Sequence, residues 1–115
     1  MAFGVTREEL NRWKREVAGG RLCYLTHYWL EPRFPGVTTV TKVGCADLAR
    51  LVRWCGKHGL NPAYIHRRAE FPHFDLIGPK QREVLLAERQ YEQLRRFRLL
   101  GPEHEDEWRQ VIPSP

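Results

Sequence analysis

At 115 residues, with 42% hydrophobic residues and four tryptophans, the chain can form one compact core but is short for two ordinary domains. Its formal charge of +5 favours anionic partners such as nucleotides, nucleic acids or acidic proteins. Three cysteines without a short repeated spacing fit neither a disulfide framework nor a Cys-x-x-Cys metal knuckle, so we expect reduced thiols. The sequence contains neither a signal-peptide core nor a membrane-spanning stretch, which predicts a cytoplasmic protein without a membrane partner.

The first predicted elements are a helix and two strands. Thr6-Arg7-Glu8-Glu9 is a capping-box pattern that begins the helix, and Gly19-Gly20 supplies the positive-φ residue that ends it. Residues 22–29 alternate along a strand with both faces partly covered. Residues 37–43 are dense in β-branched types and form a second strand, and the short connection at residues 31–36 predicts an antiparallel pair.

The second half is predicted to hold two helices around a third strand. Residues 47–58 carry apolar side chains at helical spacing, and Gly59 provides the C-cap. Residues 74–77 form the strand, which we expect to run parallel to the second strand after a right-handed crossover. Gly78-Pro79 then opens a helix that continues to about residue 100.

These elements predict an α/β chain of the α+β type. The order is helix, strand, strand, helix, strand, helix, with a small mixed sheet covered by helices. We expect residues 1–101 to form a single globular domain. Residues 102–115 are acidic, contain prolines and are predicted to be a C-terminal tail.

Ionisable side chains concentrate in residues 65–75, which read Ile-His-Arg-Arg-Ala-Glu-Phe-Pro-His-Phe-Asp. If the third strand forms, its period of two places His73 and Asp75 on one face. A carboxylate beside an imidazole orients the ring and favours its protonated form, which suits either acid-base catalysis or anion binding. A purely structural His-Asp pair explains the pattern equally well.

Basic residues flank this pair on both sides. Arg67 and Arg68 precede it, and Lys80 and Arg82 follow at the start of the last helix, where the helix dipole favours an anion. Guanidinium groups bind phosphate oxygens bidentately, so the sequence predicts a phosphate pocket, although a solvated basic surface would look the same. The predicted ligand-binding residues are His27, His66, Arg67, Arg68, His73, Lys80 and Arg82.

A metal site is an alternative use of the same region. His27, His66, His73 and Asp75 are ligand types that could converge at one end of the sheet. Their spacing matches no recognised zinc or iron pattern, and isolated histidines are more often hydrogen-bonded structural groups. We therefore predict neither a metal nor another cofactor.

Part of the chain resembles an uncharacterised family of small bacterial and phage domains. The resemblance rests on the helix that ends at Gly59-Leu60 and on Pro72-His73-Phe74-Asp75-Leu76, which is similar to the family's Pro-His-Tyr-Asp-Leu signature. It implies that His73, Asp75 and the following Lys80 are signature positions. The family pattern carries an acidic residue on the first strand where this chain has Thr26-His27, so a metal-dependent role does not follow from the resemblance.

Three functions are compatible with these patterns. The leading hypothesis is a binding module for an anionic, phosphate-bearing ligand such as a nucleotide, acting as a phage or bacterial sequestering or regulatory protein. The first alternative is a small phosphoesterase or nuclease that uses His73 as acid or base and Asp75 to orient it. The second is a nucleic-acid-binding protein. A homodimer is compatible with the sequence, which leaves the oligomeric state open.

Overall fold

A computed structural model of the protein describes residues 4–68 and 71–99. Within them the α+β class and the predicted order helix, strand, strand, helix, strand, helix are confirmed. No helix in this part of the chain combines the length and apolar character needed to cross a bilayer. The predicted tail, residues 102–115, lies outside the described residues. The elements are α1 (Arg7–Ala18), β1 (Cys23–Tyr28), β2 (Thr39–Gly44), α2 (Leu48–Lys57), a 3-10 helix (Pro62–Tyr64), β3 (His73–Leu76), α3 (Gly78–Ala87) and α4 (Tyr91–Arg96).

The predicted ends of α1 are confirmed. The Glu9 amide donates to the Thr6 hydroxyl at 3.1 Å, and the Thr6 amide donates to the Glu9 carboxylate at 2.9 Å. This reciprocal pair satisfies two amides that the first helical turn leaves without partners. At the other end Gly20 has φ +89, a conformation that glycine adopts without steric cost.

The three strands form one antiparallel sheet in the order β1-β2-β3. The predicted antiparallel pairing of β1 with β2 is confirmed, whereas the parallel pairing of β3, and with it the mixed sheet, is wrong. The chain reverses direction between His66 and His73, whose backbones exchange hydrogen bonds of 2.7 and 3.0 Å. This short reversal places His66 on the outer side of β3, so β3 runs back along β2 instead of entering from the opposite end.

The predicted long third helix is interrupted, which is a second correction. α3 ends at Ala87, Arg89 adopts a left-handed φ of 55, and α4 begins at Tyr91. The Gln90 amide donates to the Leu85 carbonyl at 2.8 Å, as in a Schellman-type helix end. The break turns α4 back toward the sheet.

One face of the sheet packs against the main core. Val43 and Leu76 project from the strands and cluster with Leu51 of α2 and Val84 of α3, all of them buried. Buried polar side chains accompany this core and bind one another. Thr26 and Thr41 share a hydrogen bond of 2.7 Å, and Gln81 of α3 and Gln93 of α4 reach them from the helices at 3.0 and 2.5 Å.

The opposite face is covered by α1 over only part of its area. Trp13 and Val17 of α1 are buried with Leu25 of β1. Gly44 permits this approach, because a Cβ atom there would lie 2.5 Å from Trp13 Cζ2 and 2.8 Å from Val17 Cγ2. The helix therefore seats on one half of this face and leaves the other half open.

Candidate binding site

The open half of the face under α1 carries four polar side chains. His27 on β1 lies opposite Val40 in the strand register, and Asp75 on β3 lies opposite Lys42. His73 precedes Asp75 by two residues and shares its face. These positions follow from the alternation of side chains along three paired strands, as predicted for His73 and Asp75.

Two adjoining pockets open on this surface. The larger, of about 490 Å³, is lined by His27 and by the aromatic side chains of Trp29 and Phe34. The other, of about 390 Å³, contains His66 and His73. We call the two pockets together the basic groove. Four residues line both of them: Leu10, Lys14, Lys42 and Asp75.

His66, His73 and Asp75 form a compact cluster in the lining of the basic groove. Asp75 Oδ2 lies 3.2 Å from His66 Nε2, and Asp75 Oδ1 lies 3.8 Å from His73 Nε2. The two imidazole rings stack with centroids 4.8 Å apart and an interplanar angle of 13°. The backbone bridge between His66 and His73 sets this arrangement, because paired residues on neighbouring strands project to the same side.

A backbone contact orients the His73 ring. Its Nδ1 lies 3.0 Å from the Phe71 carbonyl oxygen, which can only accept, so Nδ1 carries the hydrogen and Nε2 faces Asp75. Burial lowers the pKa of His73 and outweighs the opposing effects of the Phe71 carbonyl and of Asp75. The predicted stabilisation of the protonated ring by Asp75 is therefore the weaker influence, and the neutral ring is favoured.

His27 occupies the deeper end of the basic groove. It is 5% exposed, and its Nδ1 lies 2.9 Å from the Tyr28 carbonyl oxygen, so Nδ1 is the donor. Burial is the main cause that lowers the pKa of His27. Its Nε2 is buried without a hydrogen-bond partner, which leaves one acceptor without a donor.

The groove has a positive lining. Lys42 is half-buried in the middle of β2, and Lys14 lies with its ammonium 5.8 Å from the centre of the Phe71 ring. Neither lysine forms an ion pair with a described residue. Arg68 adds a third cation at the exposed mouth. Within residues 4–68 and 71–99, Asp75 is the single carboxylate that lines the groove, so cations exceed carboxylates by three to one.

The structure separates the predicted ligand-binding residues into two groups. His27, His66, Arg68 and His73 line the basic groove. The remaining three do not: Arg67 is exposed, Lys80 pairs with Glu83 at 3.3 Å, and Arg82 lines a separate pocket of about 290 Å³. Lys80 and Arg82 lie on α3, which follows the end of β3 opposite to His73.

Sequence reasoning missed Lys14 and Lys42. A lysine on an amphipathic helix is ordinarily solvated, and nothing local distinguishes Lys14 from its neighbours. Lys42 did carry a signal, since it is the one charged residue in a run of β-branched and small residues, Thr39-Val40-Thr41-Lys42-Val43-Gly44. Only the strand register, a non-local property, brings it beside Asp75.

The fold and the groove define a small α+β domain with a concave, mostly basic surface beside one helix. A comparison with curated proteins finds a relative in Bacillus subtilis (strain 168), the "Uncharacterized protein YneQ", which is 54% identical over 99 residues. The match covers 86% of this chain and 100% of that protein, so the chain belongs to the family of this bacterial protein. The resemblance to an uncharacterised small bacterial domain is thereby confirmed. No family model and no solved structure matches the chain.

Proposed function

We propose that this protein is a small binding module that recognises an anionic, phosphate-bearing ligand of the nucleotide type in the basic groove. The observation that carries the proposal is the pair of lysines, Lys14 and Lys42, that line both pockets without an acidic partner among the described residues. A half-buried ammonium group without a counter-ion is unfavourable, and a bound phosphate would provide one.

The two pockets suit different parts of such a ligand. Phosphate groups would lie between Lys14, Lys42 and Arg68. The aromatic pair Trp29 and Phe34, whose rings are 5.9 Å apart, offers an apolar wall for a base at the other end. His27 Nε2 could accept a hydrogen bond from a hydroxyl or amino group of the same ligand.

The expected location and mode of action follow from the ligand class. All three cysteines are unpaired, as expected for a protein of the reducing cytoplasm, where nucleotides are abundant. A binding module of this size would act by sequestering its ligand or by regulating a partner in response to it.

Calorimetric titration of the chelator-treated protein with inorganic phosphate, mononucleotides and cyclic dinucleotides tests the proposal. For the best ligand, Lys42→Met should weaken binding by about 10- to 150-fold, because one charge-assisted hydrogen bond contributes about 1.5–3 kcal/mol. Lys80→Gln is the matched control and should bind like the wild type, since Lys80 lines neither pocket. Absence of binding by every phosphate compound, or equal losses in both variants, would refute the proposal.

A phosphoesterase is the second candidate, and the contact between His66 and Asp75 favours it. His66 Nε2 lies 3.2 Å from Asp75 Oδ2 while 51% of the His66 side chain remains exposed, so the imidazole is accessible to a substrate. The enzyme hypothesis predicts hydrolysis of an activated phosphodiester that His66→Gln and His73→Gln both abolish. Binding without turnover would leave the binding module as the better account.

A further inference from the structure

Asp75 has an oxygen atom whose surroundings the anion site does not explain. Asp75 Oδ1 is buried and accepts no hydrogen bond. His73 Nε2 lies 3.8 Å from this oxygen, which is too long for a hydrogen bond. Lys42 lies opposite Asp75 in the register but forms no ion pair with it, so no described cation neutralises this oxygen.

The orientation of His73 sharpens the problem. In the neutral ring the Nδ1 hydrogen is directed to the Phe71 carbonyl, so the Nε2 lone pair faces the Asp75 carboxylate. Two electron-pair donors therefore face each other, and His66 Nε2 approaches the same carboxylate from the stacked ring. Groups of this kind repel one another unless a cation lies between them.

We propose that His66, His73 and Asp75 bind a divalent transition-metal ion, with zinc as the first candidate. One ligand atom from each residue lies within 4.8 Å of the other two. Ligand atoms around a tetrahedral zinc ion are about 3.4 Å apart, given zinc-nitrogen distances of about 2.0–2.1 Å. The exposed His66 ring has freedom to close the remaining gap.

The ligand set resembles known metal chemistry in two respects. Two imidazoles and one carboxylate are the protein ligands of many sites that keep a coordination position open. Histidines that bind metals almost always donate their other ring hydrogen to a carboxylate or carbonyl, as His73 does to Phe71.

The cluster faces the pocket of about 390 Å³ that Lys14 and Arg68 also line, so a water molecule or an anion could occupy the open position. The sequence suggested four possible metal ligands, His27, His66, His73 and Asp75. The proposed site uses three of them, since His27 lies in the adjoining pocket and not in the cluster. The metal site stands independently of the proposed anion site, because the three ligands require no anion.

Titration of the metal-free, reduced protein with zinc, and separately with cobalt, tests the proposal. We expect one equivalent of zinc to bind and cobalt to give a visible spectrum of nitrogen and oxygen ligation without the sulfur-to-cobalt charge-transfer band of a thiolate site. His66→Ala should weaken zinc binding by more than about tenfold, since loss of even an outer partner of a metal site costs at least that much. His66 is exposed, so this variant should retain the fold.

Two controls make each outcome decisive. His58→Gln alters another histidine that contacts a carboxylate, Glu88 at 2.7 Å, and should bind zinc like the wild type. Asp75→Asn removes the carboxylate charge and, like His66→Ala, should weaken zinc binding. Full affinity in both cluster variants, loss of binding in a Cys23→Ser variant, or no stoichiometric binding by the wild type would overturn the proposal. The titration with phosphate compounds uses chelator-treated protein and is separate from the zinc titration. The anion-binding proposal and the metal-binding proposal can therefore fail independently.

Discussion

The two faces of the sheet bury polar side chains in opposite ways. On the face toward α2, α3 and α4, the hydroxyls of Thr26 and Thr41 and the amides of Gln81 and Gln93 bind one another directly. On the face toward α1, His27 Nε2 and Asp75 Oδ1 are buried without partners. In the described part of the chain, the buried side-chain atoms that lack partners are confined to this second face. Unsatisfied groups are costly to fold, and their position beside the open pockets supports the proposed binding role of this face.

Two histidine-carboxylate contacts differ in the same way, one being enclosed and the other open to a pocket. His58 and Lys57 both contact Glu88, which joins the end of α2 to the end of α3, and the His58 side chain is only 8% exposed. This pair is closed and has a structural role. His66 contacts Asp75 at a pocket mouth, with 51% of its side chain accessible. The residue types are alike, and their surroundings distinguish structural support from a candidate site.

The largest expected effect tests the packed face. Leu51→Ala removes a side chain that is fully buried in the main core. It should lower the free energy of unfolding by about 2–5 kcal/mol, measured by urea denaturation, because it removes apolar contacts and leaves a cavity. Leu10→Ala on α1, where the side chain is partly exposed, is the control and should cost clearly less. Equal losses would mean that the two faces are packed alike.

The next effect tests the polar network of the packed face. Thr41→Val keeps the shape of the side chain but removes the hydroxyl that binds Thr26 at 2.7 Å and Gln81 at 3.0 Å. Stranding these partners should destabilise the protein by about 1–3 kcal/mol in the same denaturation measurement. A variant as stable as the wild type would show that the network can rearrange.

Removal of a polar group from the open face should have the opposite sign. His27→Leu eliminates the buried Nε2 atom that has no partner and provides apolar contacts in its place. We expect the melting temperature to rise, with a gain of about 1 kcal/mol, while affinity for the phosphate-bearing ligand falls. A drop in stability comparable with that of Thr41→Val would remove the distinction between the faces.

The smallest effect concerns the attachment of α1 beside the groove. The Arg96 hydrogen bonds hold the pKa of Glu9 at about 2, below the usual value of a glutamate. A lowered folded-state pKa means that the stabilisation is present above the unfolded pKa and is lost as the pH falls toward 2. Because both side chains are more than a third exposed, the contribution should stay below about 1 kcal/mol.

Glu9→Gln should therefore flatten the acid dependence of stability without greatly changing stability at neutral pH. Urea denaturation across the acidic range provides the measurement. Glu8→Gln is the control, because Glu8 lies in the same helical turn but forms no ion pair with a described residue. A Glu8→Gln variant with the same flattening would exclude the Glu9-Arg96 pair as the cause.

Local sequence signals were sufficient for most of the fold. The capping box at Thr6 and the glycine after α2 determine helix ends through contacts within a few residues, and both were predicted. The parallel β3 was wrong because the reversal before His73 depends on pairing with His66 rather than on a standard turn sequence. The break at Arg89 was missed because a left-handed arginine has no sequence signature.

The sequence predicts the part of the candidate site that depends on local signals and misses the part that depends on distant residues. His73 and Asp75 share a face by the period of a single strand, which the sequence reveals. The contributions of Lys14 and Lys42 require the docking of α1 and the register between β2 and β3, which residues far apart in the chain determine. Lys80 is close to Asp75 in the sequence, but it lines neither pocket of the basic groove.

The paired backbones of His66 and His73 have a practical consequence for measurement. Their two amides are each hydrogen-bonded to the carbonyl of the other residue, at 2.7 and 3.0 Å. Opening this single bridge would free both amides to exchange with deuterium at once. An ion held by both side chains would oppose that opening, so slowed exchange at these two positions would act as a built-in reporter of occupancy.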